Sequence, residues 1–283
     1  MPKVAIVTDS SAYIPEEMTK ELNISIAPLV VIWGQEELLD GVDITADEFY
    51  KRLETSEVMP STSQATPRSF VEAYTPLHDQ GHEILSIHIS EKLSGTVPSA
   101  NQAKQMLPDD ATIEIIDSYS TTMALGYQVL MAARAAADGA SLADCKEIAY
   151  KARENSGVVF AVDTLEFLHR GGRIGGASKF LGTALKLKPI LEVRDGKVDS
   201  IERVRTRKKS IARMVDLVEE RIDGKQPVRL ASLDANAEQD ADAILEIAAE
   251  RFGAIEKIYT SISPAIGTHT GPGTVGLAYL AGM

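Results

Sequence analysis

The sequence predicts an α/β protein of two domains, with a parallel sheet in the first and a mixed sheet in the second. Three observations predict it. Through the first half, short β-like runs alternate with helical patterns, which is the rhythm of crossover units in a parallel sheet. In the second half, Asp195-Gly196 separates two β-like runs as a hairpin signal, so some strands there run antiparallel. The chain has 283 residues, 44% of them hydrophobic, enough to give two domains their own buried interiors.

Taken in order, residues 4–7 read as a strand, followed by a helix around 15–22. Residues 24–39 carry two β-like runs about Gly34-Gln35, which suggests a hairpin on the edge of the sheet. Ser61-Thr62-Ser63-Gln64 reads as a loop before a helix starting near Pro67. Strand 84–89 then precedes a helix at 98–107, and strand 113–116 precedes a long Ala-rich helix at 122–137. A second helix follows directly, and the boundary falls near Asn155-Ser156-Gly157, giving domains 1–156 and 157–283. Beyond it, 189–194 and 197–205 form the hairpin and 208–221 a helix, with strand, helix and strand over 228–233, 237–251 and 255–261.

The single cysteine, Cys145, excludes an internal disulfide framework and a multi-cysteine zinc site. It shares an apolar helix face with Leu142, Ile148, Ala149 and Ala152, so it reads as a buried structural thiol. His78 and His82 have no third ligand nearby, so no metal is expected, and His88 fits a strand position. Lys and Arg number 29 against 41 Asp and Glu, and the net charge of −12 argues against a whole-surface binder of nucleic acid or anionic membrane. Between Arg170 and Arg213, thirteen basic residues face four acids, an excess of +9 that leaves −21 for the remainder. This is either a solvated hairpin and helix or a docking surface for an acidic partner or phosphate. The N-terminus reaches Asp9 too early for a signal peptide and no apolar run approaches about 18 residues, so the expected location is the cytoplasm.

Ligands of open α/β sheets bind beyond the carboxyl ends of the strands. Three such ends are rich in hydroxyls here: Thr8-Asp9-Ser10-Ser11, the stretch 90–96 containing Ser94-Gly95-Thr96, and Asp117-Ser118-Tyr119-Ser120-Thr121-Thr122. Ser61-Thr62-Ser63-Gln64 is a fourth. Any one alone reads first as a helix cap; four together point to a polar pocket. Gly267-Thr268-His269-Thr270-Gly271-Pro272-Gly273 looks built to bring one imidazole to a closely approaching backbone. Gly171-Gly172-Arg173-Ile174-Gly175-Gly176 resembles an anion-cradling loop but matches no nucleotide fingerprint. Two site classes can be built from these parts. A serine hydrolase would use Ser94, His269 and an acid such as Asp9; a binding site would use the same groups as donors to a carboxylate or phosphate. The lack of a Gly-x-Ser-x-Gly elbow, nucleotide loop or metal set favours binding, with no catalytic residue.

The ordered motifs resemble the DegV family, bacterial fatty-acid-binding proteins that serve as the lipid-carrying subunit of fatty acid kinase. The resemblance spans nearly the whole chain. It rests on Thr8-Asp9-Ser10-Ser11, Asp40-Gly41-Val42-Asp43-Ile44 with Phe49-Tyr50, Thr62-Ser63-Gln64, Leu93-Ser94-Gly95-Thr96 and Ile116-Asp117-Ser118. It continues in Thr164-Leu165-Glu166-Phe167-Leu168 running into Gly171-Gly172-Arg173-Ile174, in Lys188-Pro189-Ile190-Leu191 and in 267–273. Where the family loop has Thr-Ser-Gln-Pro, this chain has Thr62-Ser63-Gln64-Ala65-Thr66-Pro67, the proline displaced by two.

The resemblance implies two α/β domains enclosing one long-chain fatty acid in an apolar tunnel between them, the carboxylate at a polar end. It assigns Thr62, Ser94 and His269 to the head-group network, with Ser63 and Gly95 beside them. A separate kinase subunit would supply ATP and turn the bound carboxylate into an acyl phosphate. No cofactor other than the bound lipid is implied, no nucleic acid is expected, and transient membrane contact is compatible with it. A C16 chain offers about fifteen carbon groups at roughly 0.8 kcal/mol each, so burial supplies most of the affinity and the head group sets orientation. Candidate tunnel residues are Phe167, Leu168, Met123, Leu125 and Ile190, each equally credible as plain core. Arg173, Arg205 and Lys208 are the expected docking cations. A lipid-active serine hydrolase on Ser94 and His269 and a regulatory lipid sensor are the rival classes.

Overall fold

The computed structural model describes residues 3–182 and 188–283. Strand β1 (Val4–Asp9) runs into a 3-10 turn (Ser10–Ala12), helix α1 (Glu16–Glu21) and strands β2 (Ser25–Ala27), β3 (Val30–Trp33) and β4 (Glu36–Leu39). Helix α2 (Ala46–Thr55), strand β5 (Ser61–Ser63), helix α3 (Pro67–Asp79), strand β6 (Glu83–His88), helix α4 (Thr96–Lys104) and strand β7 (Ile113–Asp117) follow. Two long helices, α5 (Thr122–Ala137) and α6 (Leu142–Asn155), complete the first half. The second half comprises β8 (Ser156–Ala161), α7 (Glu166–Arg170), a 3-10 segment (Gly175–Phe180), β9 (Lys188–Arg194), β10 (Lys197–Val204) and α8 (Arg207–Ile222). It ends with β11 (Val228–Asp234), α9 (Glu238–Phe252), β12 (Glu256–Ser261), α10 (Pro264–Thr270) and β13 (Val275–Ala281).

Local chemistry explains where the helices start. Thr45 with Glu48, and Ser141 with Asp144, form capping boxes for α2 and α6. Thr66 and Ser263 cap α3 and α10, each with proline at the first helical position, where a missing N–H costs nothing.

The first sheet, in order β2-β1-β6-β7, is wholly parallel. The second, in order β10-β9-β8-β13-β11-β12, is mixed, with β11 and β12 parallel and the other neighbours antiparallel. The chain passes from one to the other at Ser156. Two strand expectations need correction. The hairpin β3-β4 does not extend the parallel sheet; it pairs with β5 in a separate three-stranded sheet, so Ser61-Thr62-Ser63 is strand and not loop. Ser25–Ala27 already occupies the edge beside β1, and Pro28, lacking an N–H, ends that strand before the hairpin begins. The sequence pattern also named no strand over Val275–Ala281, which lies at the centre of the second sheet, buried on both faces.

Helix α5 lies between the sheets. Its buried Met123, Leu125, Tyr127 and Leu130 share one apolar cluster with Leu85 and Ile87 of the first sheet and Val158, Phe160, Leu191 and Leu233 of the second. Cys145 is buried in the same cluster, as its helix face implied. A second cluster fills the opposite face of the mixed sheet under α8 and α9, and a third lies under α3 and α4. No helix among the described residues is long and apolar enough to cross a membrane.

Candidate functional site

A pocket opens where the carboxyl ends of the parallel strands meet the inner face of the mixed sheet. It encloses about 760 Å³ of space not occupied by protein atoms, mouth included. Its apolar wall comes from strand alternation. Val158 and Phe160 of β8, Val193 of β9, Val198 of β10 and Leu233 of β11 all point inward, and Leu29, Ile89, Ile262 and Ile266 close the other side.

A polar cluster interrupts that wall. Thr62 Oγ1 and His269 Nε2 are 2.7 Å apart although 207 residues separate them in the chain. Ser63, Gln64 and Ser94 line the same space, and Ser94 Oγ bonds Thr96 Oγ1 at 2.9 Å. Arg173 is half-buried in the wall, its Nε donating to the Leu93 carbonyl at 3.0 Å and Nη1 to the Gly171 carbonyl at 2.7 Å. Among the described residues no carboxylate lies within ion-pair distance of it. Burial, and secondarily the Arg173 charge, push the His269 imidazole down to about 4, so it is neutral at physiological pH. Among the described residues Arg173 is therefore the cation of the pocket. His269 Nδ1 is buried without a partner, and a side chain at position 171 would collide with it, which is why a glycine stands there. Nε2 is the cheaper nitrogen to protonate, because an orphaned lone pair costs less than an orphaned N–H; Nε2–H then donates to Thr62, freeing the Thr62 hydroxyl proton for a ligand.

Helix α10, which carries His269, is anchored at its start by the motif at Asp40. Ser10 Oγ donates to Asp40 Oδ2 at 2.7 Å, and burial pushes this carboxyl up to about 6 in spite of Ser10, Ser263 and the Ala265 amide.

The structure brings Thr62, Ser63, Ser94 and His269 together and places Leu168 in the wall. Gly95 lies just outside, under the Gln64 side chain. Other expected tunnel residues need correction. Ile190 points to the opposite face of β9, into the cluster under α8 and α9, because successive strand residues alternate and the pocket takes Val193. Met123 and Leu125 are fully buried in the core around α5, and Phe167 packs over Gly271; none of the three lines the pocket. Arg173 is likewise a pocket residue and not an open docking cation. Its signal was present in Gly171-Gly172-Arg173, where two glycines free the backbone beside a cation.

The hydrolase constellation is not assembled. His269 bonds Thr62, not Ser94, and has no acid behind it. Asp9 instead accepts from Ser11 and the Ile89 amide and bonds His88 Nδ1 at 3.1 Å, while His88 Nε2 meets Ser86 Oγ at 2.6 Å and Ser86 meets the Tyr74 hydroxyl at 2.7 Å. That Ser-His-Asp order resembles a triad, yet all three residues are completely buried and line neither this pocket nor the polar cleft around Asp234 and Arg207, so a substrate held there does not reach them. Among the described residues no group of three or more metal-ligating side chains converges.

A family model described as an uncharacterised protein, DegV family, matches residues 3–282. The chain belongs to the DegV family. Protein DegV of Bacillus subtilis is 34% identical over 278 residues, covering 98% of both chains. Among solved structures, a DegV family protein from Thermus thermophilus, described by its fatty acid binding, superposes with a TM-score of 0.93 at 33% identity, covering 99% of both chains. The Bacillus subtilis DegV structure, described as a fatty acid binding protein, superposes with a TM-score of 0.91 at 32% identity, covering 99% of this chain and 100% of that one. The α/β architecture of this DegV chain, with its parallel and mixed sheets, is thus that of solved family members.

Proposed function

We propose that this chain carries one long-chain fatty acid in the pocket and presents its carboxylate to a separate ATP-dependent kinase. The observation that carries the reading is one arginine that, among the described residues, faces no acid, set beside neutral hydroxyls and a neutral imidazole in a largely apolar space. Such a site fits a ligand with one anionic end and a long hydrocarbon body. Arg173 balances the charge, Thr62 and Ser94 donate hydrogen bonds, and His269 orients Thr62. The fatty acid binding of the similar Thermus and Bacillus proteins supports it. In the kinase step a carboxylate oxygen would attack the γ-phosphorus of ATP, giving acyl phosphate and ADP, with this chain supplying only the positioned nucleophile.

Purified protein is expected to hold about one fatty acid per chain, because burial of the hydrocarbon makes release slow. Denaturing extraction and mass spectrometry check this; an empty extract, together with no calorimetric signal on adding palmitate or oleate, refutes the carrier reading.

A basic surface remains for the kinase. Within 170–213 half of the twelve described cations are paired with acids: Arg170 with Glu166, Lys179 with Asp199, Lys188 with Asp163, Arg194 with Glu192, Arg207 with Asp240, and Arg213 with Glu202 and Glu220. Arg205 and Lys208 are exposed, and among the described residues neither has an acidic partner. Lys186 lies outside the described residues. Arg205→Glu combined with Lys208→Glu is expected to retain bound lipid yet lower the acyl-phosphate rate of a cognate kinase, more so at low salt, where charges act beyond about 10 Å. Wild-type rates across a salt series would remove the docking role and favour a lipid sensor.

A further inference from the structure

The pocket contains a second polar spot that the head-group cluster leaves unused. Thr121 lines the cavity at 7% exposure, and its Oγ1 is buried without a hydrogen-bond partner. It stands at the N-cap of the sixteen-residue helix α5, but its side chain makes no cap bond, so the first-turn amides also lack a side-chain acceptor. Thr122 beside it lines the cavity too, its hydroxyl turned back to the Thr121 carbonyl at 2.6 Å. No hydrogen bond joins Thr121 to Thr62, Ser94, Arg173 or His269, each of which has a partner of its own. Its companions in the lining include Ile89 and Val158, where a plain hydrocarbon wall would be expected to continue.

A buried hydroxyl facing an apolar ligand is a cost with no return, whereas one facing an oxygen on that ligand is satisfied. The group wanted there is neutral, since among the described residues Arg173 is the only charged one in the lining and His269 is uncharged. We propose that Thr121 and the N-terminus of α5 form a subsite for an oxygen substituent along the acyl chain, so that the pocket prefers a hydroxy fatty acid to the plain acid of equal length. This rests on the fatty-acid reading above. The Thr121 hydroxyl can both donate and accept, and the uncapped amides can donate, which matches an alcohol.

The test is calorimetric titration of delipidated protein with octadecanoate and with monohydroxyoctadecanoates whose hydroxyl is moved stepwise from carbon 2 towards the methyl end. The expected result is that at least one isomer binds wild type about five- to tenfold more tightly than octadecanoate. Thr121→Val should erase that preference while binding octadecanoate at least as well as wild type, and Thr121→Ser should keep it. Should Thr121→Val prove unstable in thermal melts, Thr121→Ala takes its place. Octadecanoate binding with no preferred isomer overturns the subsite, and so does a Thr121→Val loss of octadecanoate affinity, which would place Thr121 in the head-group cluster. Folded protein that binds none of these acids overturns the carrier reading itself, and the subsite with it.

Discussion

Arg173→Met is expected to weaken fatty acid binding by roughly a hundredfold or more while leaving a folded protein. The size of the effect follows from asymmetry. With the guanidinium present, a carboxylate in the pocket exchanges water for a charge-assisted bond in a site of low polarity; without it, the same carboxylate is buried beside neutral hydroxyls and a neutral imidazole. The variant also leaves the Leu93 and Gly171 carbonyls without their donor, a smaller loss of about 1 kcal/mol each that a thermal melt will register. The pH dependence carries a sign. Deprived of the cation, the pocket accepts the ligand better as a neutral acid, so Arg173→Met should regain affinity as pH falls from 7 towards the ordinary carboxyl range. Wild type should lose little over that interval, because His269 stays neutral until about 4. Calorimetry of both proteins at pH 7 and 5 checks it, and equal affinities at pH 7 would show that the carboxylate lies elsewhere.

Asp9→Ala should cost about 3 to 5 kcal/mol of stability, the largest loss expected from one side chain outside the pocket. The carboxylate is fully buried and receives Ser11 N–H and O–H on Oδ1 and the Ile89 amide on Oδ2, with His88 Nδ1 beside it. Its removal strands all of these groups in the middle of the parallel sheet, where water cannot replace it. It also loosens the join between β1 and β6 at the ends from which Ile89 and Ser94 reach the pocket. Urea unfolding with tryptophan fluorescence of Trp33 measures the change. A variant within 1 kcal/mol of wild type would mean that the Asp9-His88-Ser86-Tyr74 chain is not what secures these strands. If it folds, its lipid content should match wild type, since none of the four residues lines the cavity.

The sequence by itself determined whatever depends on near neighbours in the chain. Helix α5 runs over the residues its apolar pattern indicated, Thr122–Ala137, because helical periodicity and an adjacent turn are local properties. The β9-β10 hairpin turns at Asp195-Gly196, both at positive φ, because few residue pairs tolerate that conformation. The polar site was legible in the same way, as hydroxyls and one histidine concentrated at strand and helix ends. Tertiary structure alone decided what those groups face. Thr62 and His269 meet across 207 residues, and Asp9 meets His88 and not His269. Ile190 turns away from the pocket although its neighbour Leu191 joins the inner cluster, because on a two-faced sheet one step along the strand reverses the side. Arg173 read as a docking cation beside a glycine-rich loop; only the fold shows it in the cavity wall, bonded to two carbonyls and, among the described residues, matched by no acid. A charge's meaning is set by its counter-charge and its exposure to water, and both are properties of distance in space.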